Sequence, residues 1–487
     1  MKLDFTVGKY TLESLTNGMY SSPLDLYREY IQNAVDSFDA AVSSGIAKFE
    51  ELHIDIEIST SEKNIKIKDN GCGISKDCAG KTLLDIGNSQ KSRSIFRGFR
   101  GIGRLAGLGY CDVLTFTTSA PGETLKTIVR FDAKKLRELL MQGSEFNNSI
   151  HQVLEEIVSI KYAPEKLSEH YFEVMLEKIE ESSKLTNEGI VEDYLLQHSP
   201  LPFSKEFKWQ SLILKKYQLL GEKIDNYKVF LNVDGSIKEL FKPYNNSFIA
   251  DRVKKLTDDI QDICVVPFYR KDKLCAILWY AQANYFGTIL DNSIKGIRIR
   301  QGNILIGDKS TCNQFFKEER FNGWLLGELH VFDRELIINS RRDDFEKNEA
   351  YYEFVDALSE WSLELSKEIR KKSYDRSLSN EKKTLVEIDN IDINNLETED
   401  MDFICDFDEA SLFENGESQF LAENDFFDKL SIILNQKKGQ TKYSALNIND
   451  RFTIEQKKVL ERVFDVISQE YSKEDAEKFI TIISKKY

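Results

Sequence analysis

The sequence predicts an α/β protein, in which two α/β regions are followed by a helical C-terminal tail. Three observations support this prediction. Isoleucines alternate with polar residues from Ile54 to Ile67, a two-residue period that is typical of half-buried β-strands. Residues 23–41 just before them have helical periodicity, and strand-like stretches recur between residues 227 and 307. Two further helical patterns follow residue 451.

Length and composition indicate a soluble protein of several domains. The 487 residues correspond to two to four domains. The chain has neither the 18 or more consecutive apolar residues of a membrane helix nor the apolar core of a signal peptide near its start, so we expect a cytoplasmic protein without a membrane partner. Its seven cysteines are scattered and contain no C-x-x-C pair, which argues against a disulfide framework or a zinc site.

The first motif is the helix predicted over residues 23–41. Ser22, Pro23 and Asp25 form a helix start, with a cap, a proline in the first turn and a capping box. A polar stripe runs along the helix at i, i+4 and i+7, and consists of Glu29, Asn33 and Asp36. For this helix alone a solvated polar face is the favoured interpretation. The amide oxygen of Asn33 is nevertheless a hard ligand that suits Mg²⁺.

The second motif is IKDNGCGIS at residues 67–75, where the alternation of the strands stops. Asp69 is followed by Gly71 and Gly73, and glycine permits positive φ angles and close approach of the backbone. These residues indicate a tight turn, which either only reverses the chain or also holds a ligand.

The third motif is GFRGIGRLAGLG, with five glycines at residues 98–109. Arg100 and Arg104 lie within it and Lys91 precedes it, so bared N–H groups and cations could together cradle an anion. Plain flexibility is the alternative. Neither of two looser motifs fits: the P-loop-like AGKT at residues 79–82 lacks the glycine spacing, and the Rossmann-like GIGRLA at residues 101–106 lacks a preceding strand.

The three motifs, taken in order, resemble those of the GHKL ATPase superfamily, closest to heat shock protein 90-like ATP-binding proteins. Their patterns are E-x-x-x-N, D-x-G-x-G and G-x-x-G-x-G. The resemblance implies a two-layer α/β sandwich that binds ATP and Mg²⁺. It implies that Asp69 binds the adenine amino group, that Asn33 is the metal ligand and that Glu29 activates the attacking water. Residues 86–92 would form the ATP lid. The implied cofactor-binding residues are Asn33, Asp36, Asp69, Gly71, Gly73, Ile74, Lys91, Ser92, Gly98, Arg100, Gly101, Ile102 and Gly103.

The family's adenine-pocket threonine has no evident counterpart in this sequence. The strand expected to carry it begins at His170, so Thr115, Thr117 or Thr118 could supply the contact instead. No histidine precedes the Glu29 helix, which argues against the histidine kinases of the superfamily.

The second region resembles the middle, or transducer, domain of heat shock protein 90. There an arginine reaches across to the γ-phosphate, and Arg342 is the best match, with Arg341 as its close rival and a plain surface pair as the alternative. We expect four regions: an ATP-binding domain at 1–205, a middle domain at 206–373, a basic-then-acidic linker at 374–440 and a helical region at 441–487.

Acidity is concentrated in residues 384–428, which hold 15 acids and no Lys or Arg; removing them from the 81 acids leaves 66, equal to the 66 Lys and Arg. The whole-chain charge of −15 therefore does not exclude nucleic acid.

Three functions are predicted. The first is an ATPase whose closure drives a cycle on a protein client or partner, possible as an ATP-dependent homodimer. The second is a MORC- or MutL-like ATPase acting on nucleic acid in repair or antiviral (anti-phage) defence. The third is a non-hydrolysing ATP-switch scaffold.

Overall fold

A computed structural model describes residues 22–85, 103–141, 150–339 and 341–381. The chain divides into two units, Met1–Glu360 and Trp361–Tyr487, and both main sheets lie in the first. The helices are α1 Asp25–Ser43, α2 Lys76–Leu84, α3 Ala133–Met141, α4 Ile150–Ile157, α5 Glu188–His198, α6 Gln210–Leu219 and α7 Glu349–Glu381. The strands are β1 His53–Ser59, β2 Asn64–Asp69, β3 Val113–Ser119, β4 Leu125–Asp132, β5 Val158–Pro164, β6 Tyr171–Glu177, β7 Lys228–Val233, β8 Ser236–Glu239, β9 Ser247–Ala250, β10 Leu256–Asp259, β11 Asp262–Arg270, β12 Lys273–Gln282, β13 Gly296–Gln301, β14 Ile304–Ile306 and β15 Leu326–Val331.

The first sheet has eight strands in the order β5-β4-β3-β6-β2-β1-β7-β8. The predicted alternation is confirmed in β1 and β2, which pair antiparallel and bury their isoleucines on one face. β7 joins β1 in parallel, with Ile56 opposite Leu231. The sheet therefore includes strands beyond residue 205, in the part of the chain that the sequence assigned to the second region; the predicted domain limits themselves stay predictions.

Helix α1 packs its predicted apolar face into the core of this sheet. The buried residues are Tyr27, Ile31, Ala34, Val35 and Phe38. The helix begins at Asp25, two residues later than Pro23, because residues 22–24 form a turn. The Asp25 carboxylate accepts a hydrogen bond from the Ser22 backbone N–H (3.2 Å), which is one half of a capping box. The N-cap of the helix is Leu24 and has no side-chain cap, so the predicted cap at Ser22 is wrong.

The described part of the glycine-rich motif is a 3-10 helix, Gly103–Gly109, that packs on α1. The Tyr30 hydroxyl of α1 donates to the Arg104 carbonyl (3.1 Å) and accepts from the Gly107 backbone N–H (3.1 Å). One tyrosine thus fixes the end of the motif to the helix that carries the polar stripe.

The second sheet has five strands in the order β11-β12-β15-β13-β14, with a separate two-stranded sheet, β9 and β10, beside it in sequence. β15 pairs antiparallel with β12 and parallel with β13. β12, β13 and β14 fall in stretches whose patterns predicted strands, whereas β15 lies beyond them. The α/β fold is confirmed for the described residues. None of the described helices is long and apolar enough to cross a membrane.

Several predicted features lie outside the described residues. They are the lid and phosphate-loop residues Lys91, Ser92, Gly98, Arg100, Gly101 and Ile102, the linker after residue 381 and the C-terminal helical region.

Candidate functional site

Helix α1 presents the polar stripe to the interior of the protein. Glu29 and Asp36 are buried, whereas Asn33 between them is partly exposed. A solvated polar face would leave all three side chains exposed, so that interpretation is wrong for Glu29 and Asp36. Within the described part of the chain, the Asn33 amide has no hydrogen-bond partner and remains available to a ligand.

The DNGCG turn follows β2 and docks on α1. The buried Asp69 carboxylate accepts a hydrogen bond from the Gly71 backbone N–H (2.9 Å), which closes the turn. A Cβ atom at Gly71 would lie 2.1 Å from the Ser37 hydroxyl, which itself accepts from the Cys72 N–H (3.0 Å). Gly71 is therefore required because the turn lies directly against the helix.

The second glycine of the turn is required by the neighbouring strand. Gly73 has φ +61°, and a Cβ there would meet the Ser119 carbonyl oxygen at 1.9 Å. Next to it the Ile74 N–H donates to the Thr118 hydroxyl (2.8 Å), which donates to the Tyr171 carbonyl (2.9 Å). Of the three threonines considered in the sequence, Thr118 is thus the one that contacts this turn.

Gly103 brings the glycine-rich motif to the same helix. A Cβ atom at this position would lie 1.8 Å from Oε2 of Glu29. The backbone of the third motif therefore lies against the carboxylate of the first. The second and third motifs, far apart in sequence, thus both lie against α1, at Ser37 and at Glu29.

The second region contributes an arginine to this place. Arg342 and Glu29 form a two-pronged ion pair, with Nε–Oε1 at 2.7 Å and Nη2–Oε2 at 3.1 Å. Their side chains are only 17% and 6% exposed, so the pair is largely shielded from water. Such a bidentate geometry fixes direction as well as charge.

The backbone around Arg342 is built to aim this side chain. Arg342 has φ +59°, a left-handed conformation that costs a non-glycine residue free energy and is found preferentially at functional sites. Its carbonyl accepts from the Gly307 N–H (2.9 Å), and Asn339 holds the turn by donating to the Asp343 carboxylate (2.6 Å). Arg341 is exposed, and its carbonyl accepts from the Arg28 guanidinium (3.1 Å). The side chain that enters the site is therefore that of Arg342.

A buried network supports the start of α1. Asp25 pairs with Arg28 (3.3 Å) and accepts from the Tyr194 hydroxyl (2.9 Å) of α5. The His198 ring stacks on Tyr194 with centroids 3.8 Å apart, and burial, together with the charge of Arg28, lowers the pKa of His198 to about 3. His198 is thus neutral near pH 7, which leaves the charge of Arg28 to be balanced by Asp25.

Sequence reasoning missed Arg28, Gln32 and Ser37 as members of this site. Their signal was present, because each is a polar residue on a helix that packs against a hydrophobic core. The register of the stripe alone did not show that these side chains would meet the turn or the second region.

Comparison with known proteins agrees with this geometry. Residues 26–156 match the family model described as histidine kinase-, DNA gyrase B- and HSP90-like ATPase. The relatives include the chaperone protein HtpG of Streptomyces coelicolor, which is 25% identical over 133 residues. That match covers 23% of this chain and 21% of the relative, so the chain spans about a fifth of the relative's length. The predicted resemblance to the GHKL superfamily, with its HSP90-like character, is confirmed over the matched residues.

Proposed function

We propose that the chain is a Mg²⁺-dependent ATPase, and the observation that carries this proposal is the Glu29–Arg342 ion pair. A carboxylate that can act as a base and a cation that can neutralise a phosphate meet beside Gly103 of the glycine-rich motif. A structural role alone would not explain why a strained residue of the second region is aimed at the buried helix of a nucleotide-binding fold.

Adenine recognition falls to the turn after β2. A buried carboxylate accepts hydrogen bonds and does not donate them when ionised, which suits the exocyclic amino group of adenine. The two glycines of the turn supply the surface on which the base would lie, because neither position has room for a side chain. Thr118 holds Ile74 in place beside it.

Hydrolysis uses the two partners of the ion pair in sequence. Arg342 engages both oxygens of Glu29. When the γ-phosphate competes for the guanidinium, Glu29 regains an oxygen that can take a proton from the attacking water. A positioned general base typically contributes about 10²–10⁴-fold to a rate. Arg342, now on the phosphate, stabilises the charge that develops there.

The metal would be held largely by the substrate. Mg²⁺ in nucleotide sites keeps several waters and takes one or two protein oxygens plus phosphate oxygens. The unpartnered, half-exposed amide of Asn33 fits that requirement, and the described residues contain no cluster of three or more His, Cys, Asp or Glu side chains that would form a separate metal site. When bound, the ion would neutralise phosphate charge.

As the first candidate, we propose that the ATPase cycle acts on a protein client or partner. An ATP-dependent homodimer is one form of that partner. This candidate is supported by the similarity to a chaperone protein, over about a fifth of that relative's length. Action in the cytoplasm is part of the same proposal.

A second candidate, action on nucleic acid, is favoured by one surface. The tip between β9 and β10 exposes Arg252, Lys254 and Lys255, and the half-buried Lys295 and Lys309 lie near it. None of these five cations forms an ion pair with a residue of the described ranges. Burial lowers the pKa of Lys295, and crowding by Lys309 and Arg252 lowers it further. Unbalanced cations at this density suit a phosphate backbone.

The experiment that tests the proposal is steady-state ATP turnover by the purified full chain, with Mg²⁺ or with EDTA, and with or without duplex DNA. We expect turnover that requires Mg²⁺, and Asn33→Ala to lose the Mg²⁺-dependent part of ATP binding. Binding without any turnover would support the non-hydrolysing scaffold instead. DNA binding that weakens steeply with salt, and weakens further in Lys254→Ala/Lys255→Ala, would favour the second candidate.

A further inference from the structure

Gln32 of helix α1 has a buried acceptor without a partner. Its side chain is one turn beyond Glu29, and the residue is only 2% exposed. The oxygen Oε1 makes no hydrogen bond with any residue that the structure describes. Leaving a buried acceptor unsatisfied destabilises the folded protein, so such an atom calls for an explanation.

The surroundings of Gln32 include Arg342. Both residues line a small cavity of about 10 Å³, whose third polar residue is Gln301 and whose other walls are the aliphatic residues Ile304, Leu305, Ile306 and Ile338. Gln301 already uses its amide to donate to the Leu336 carbonyl (3.4 Å). Of the two glutamines, Gln32 is therefore the one with a buried, unused acceptor beside the arginine.

We propose that Gln32 is a positioning residue for Arg342, which rests on the ATPase function proposed above. Nε and Nη2 of Arg342 are engaged with Glu29. Hydrolysis requires that at least one Glu29 oxygen be released. Gln32 then accepts the guanidinium N–H that leaves Glu29, so that one hydrogen bond is exchanged for another and the cation stays beside the γ-phosphate.

The exchange explains why the acceptor is unpaired while Arg342 is held by Glu29. If Oε1 were already satisfied, Arg342 would have to displace another donor in order to move. An amide is also better suited than a carboxylate, because a second charge would hold the arginine permanently. The unsatisfied oxygen thus lowers the stability of the protein slightly while Arg342 is on Glu29. It thereby favours the arrangement for hydrolysis, in which Arg342 has left a Glu29 oxygen.

The test is Gln32→Met, which keeps the length of the side chain and removes the acceptor. We expect kcat to fall roughly 10- to 100-fold, as for loss of a hydrogen bond to a charged group, with unchanged ATP affinity. The melting temperature of the nucleotide-free protein should be equal to or higher than that of wild type. Gln301→Met is the matched control in the same cavity and should retain the wild-type kcat.

A double-mutant cycle with Arg342→Ala separates this role from a structural one. If Gln32 acts through Arg342, Gln32→Met has no further effect on kcat once Arg342 is replaced. A kcat within threefold of wild type for Gln32→Met, or an equal loss in the Arg342→Ala background, would overturn the proposal and leave Gln32 as a partner of a buried water only. Absence of turnover in the wild-type protein would instead overturn the ATPase function itself.

Discussion

Two buried glutamates, Glu29 on α1 and Glu328 on β15, use arginine in opposite ways. Among the described residues, Glu29 pairs with one cation, Arg342, which comes from a distant turn and whose side chain is 17% exposed. Glu328 is fully buried and accepts hydrogen bonds from five donors on the strands and segments around it: Lys242, Tyr244, Trp279, Arg300 and His330. In the proposed mechanism the first carboxylate exchanges its partner, whereas the second stays enclosed by its donors.

The electrostatics of Glu328 follow from this enclosure. Burial by itself would raise the pKa of Glu328, but the charges of Arg300 and Lys242 outweigh it and hold the pKa well below its usual range. Arg300 also donates to the Gln197 carbonyl (2.7 Å) at the end of α5. Through Arg300, Glu328 therefore helps to fix the second sheet to the helix that supports α1.

The largest expected effect is on stability, for Glu328→Ala. Removing one partner of a buried ion pair leaves uncompensated charge, so we expect a loss of about 3–5 kcal/mol in the free energy of unfolding. Urea denaturation followed by circular dichroism measures it. Glu29→Ala is the matched control, since its partner can turn toward solvent, and it should lose far less. Equal losses for the two variants would remove the distinction between a structural and an exchangeable carboxylate.

Arg342→Ala should slow hydrolysis about 10²–10³-fold, the range for loss of one charge-stabilising donor in a transition state. ATP affinity should be nearly unchanged, because the ground state binds through the turn and the metal. Single-turnover kinetics with calorimetric binding separate the two. Arg341→Ala is the control, since that side chain is exposed, and a deficit confined to Arg341→Ala would place the functional arginine one residue earlier.

Asp69→Asn should abolish measurable nucleotide binding, at a cost of about 1–3 kcal/mol or more for the unpaired group. An amide is a weaker acceptor than a carboxylate, and its own N–H groups oppose the adenine amino group. Isothermal titration calorimetry with ATP gives the affinity. Unchanged affinity would leave the turn with only its chain-reversing role.

The last expected effect is the pH dependence of stability, which builds up only as the pH falls. Burial lowers the pKa of His330, beside Glu328, to about 4 although the carboxylate acts in the opposite direction, and burial lowers that of His198 to about 3. The folded protein keeps both rings neutral, whereas the unfolded chain takes up protons below about pH 6.5. The free energy of unfolding should therefore fall as pH drops from about 6.5 to 5, by about 1.4 kcal/mol per pH unit for each histidine.

Thermal unfolding at several pH values checks this, and His330→Gln should roughly halve the slope. The same slope in His330→Gln as in wild type would mean that His330 is already protonated in the folded protein.

Local patterns predicted the parts of the fold that are close in sequence. The periodicity of apolar residues was enough to predict the helix α1 and the alternation of β1 and β2. The two glycines were enough to predict the DNGCG turn. The family resemblance added the roles of Glu29 and Asp69 and the arginine of the second region; those roles stay predictions, although the structure brings Glu29 and Arg342 together.

Long-range pairing accounts for what the sequence did not predict. Lys242, Arg300 and Glu328 are separated by tens of residues, and nothing in their local patterns shows that they share one buried site. Likewise, β7 pairs with β1 in the first sheet, although about 170 residues lie between the two strands. A parallel pair of strands needs a long connection, so local patterns do not reveal it. The choice of Thr118 among three threonines depended on the register of β3 against β6.

The most direct test of the central claim, that Glu29 is the exchangeable, catalytic carboxylate, is ATP turnover by Glu29→Ala at saturating Mg²⁺ and ATP, with ATP affinity measured on the same protein. The account predicts that ATP still binds and that turnover falls about 10²–10⁴-fold, as expected for loss of a general base. Turnover within threefold of wild type would contradict the account and leave the Glu29–Arg342 pair as a structural contact only.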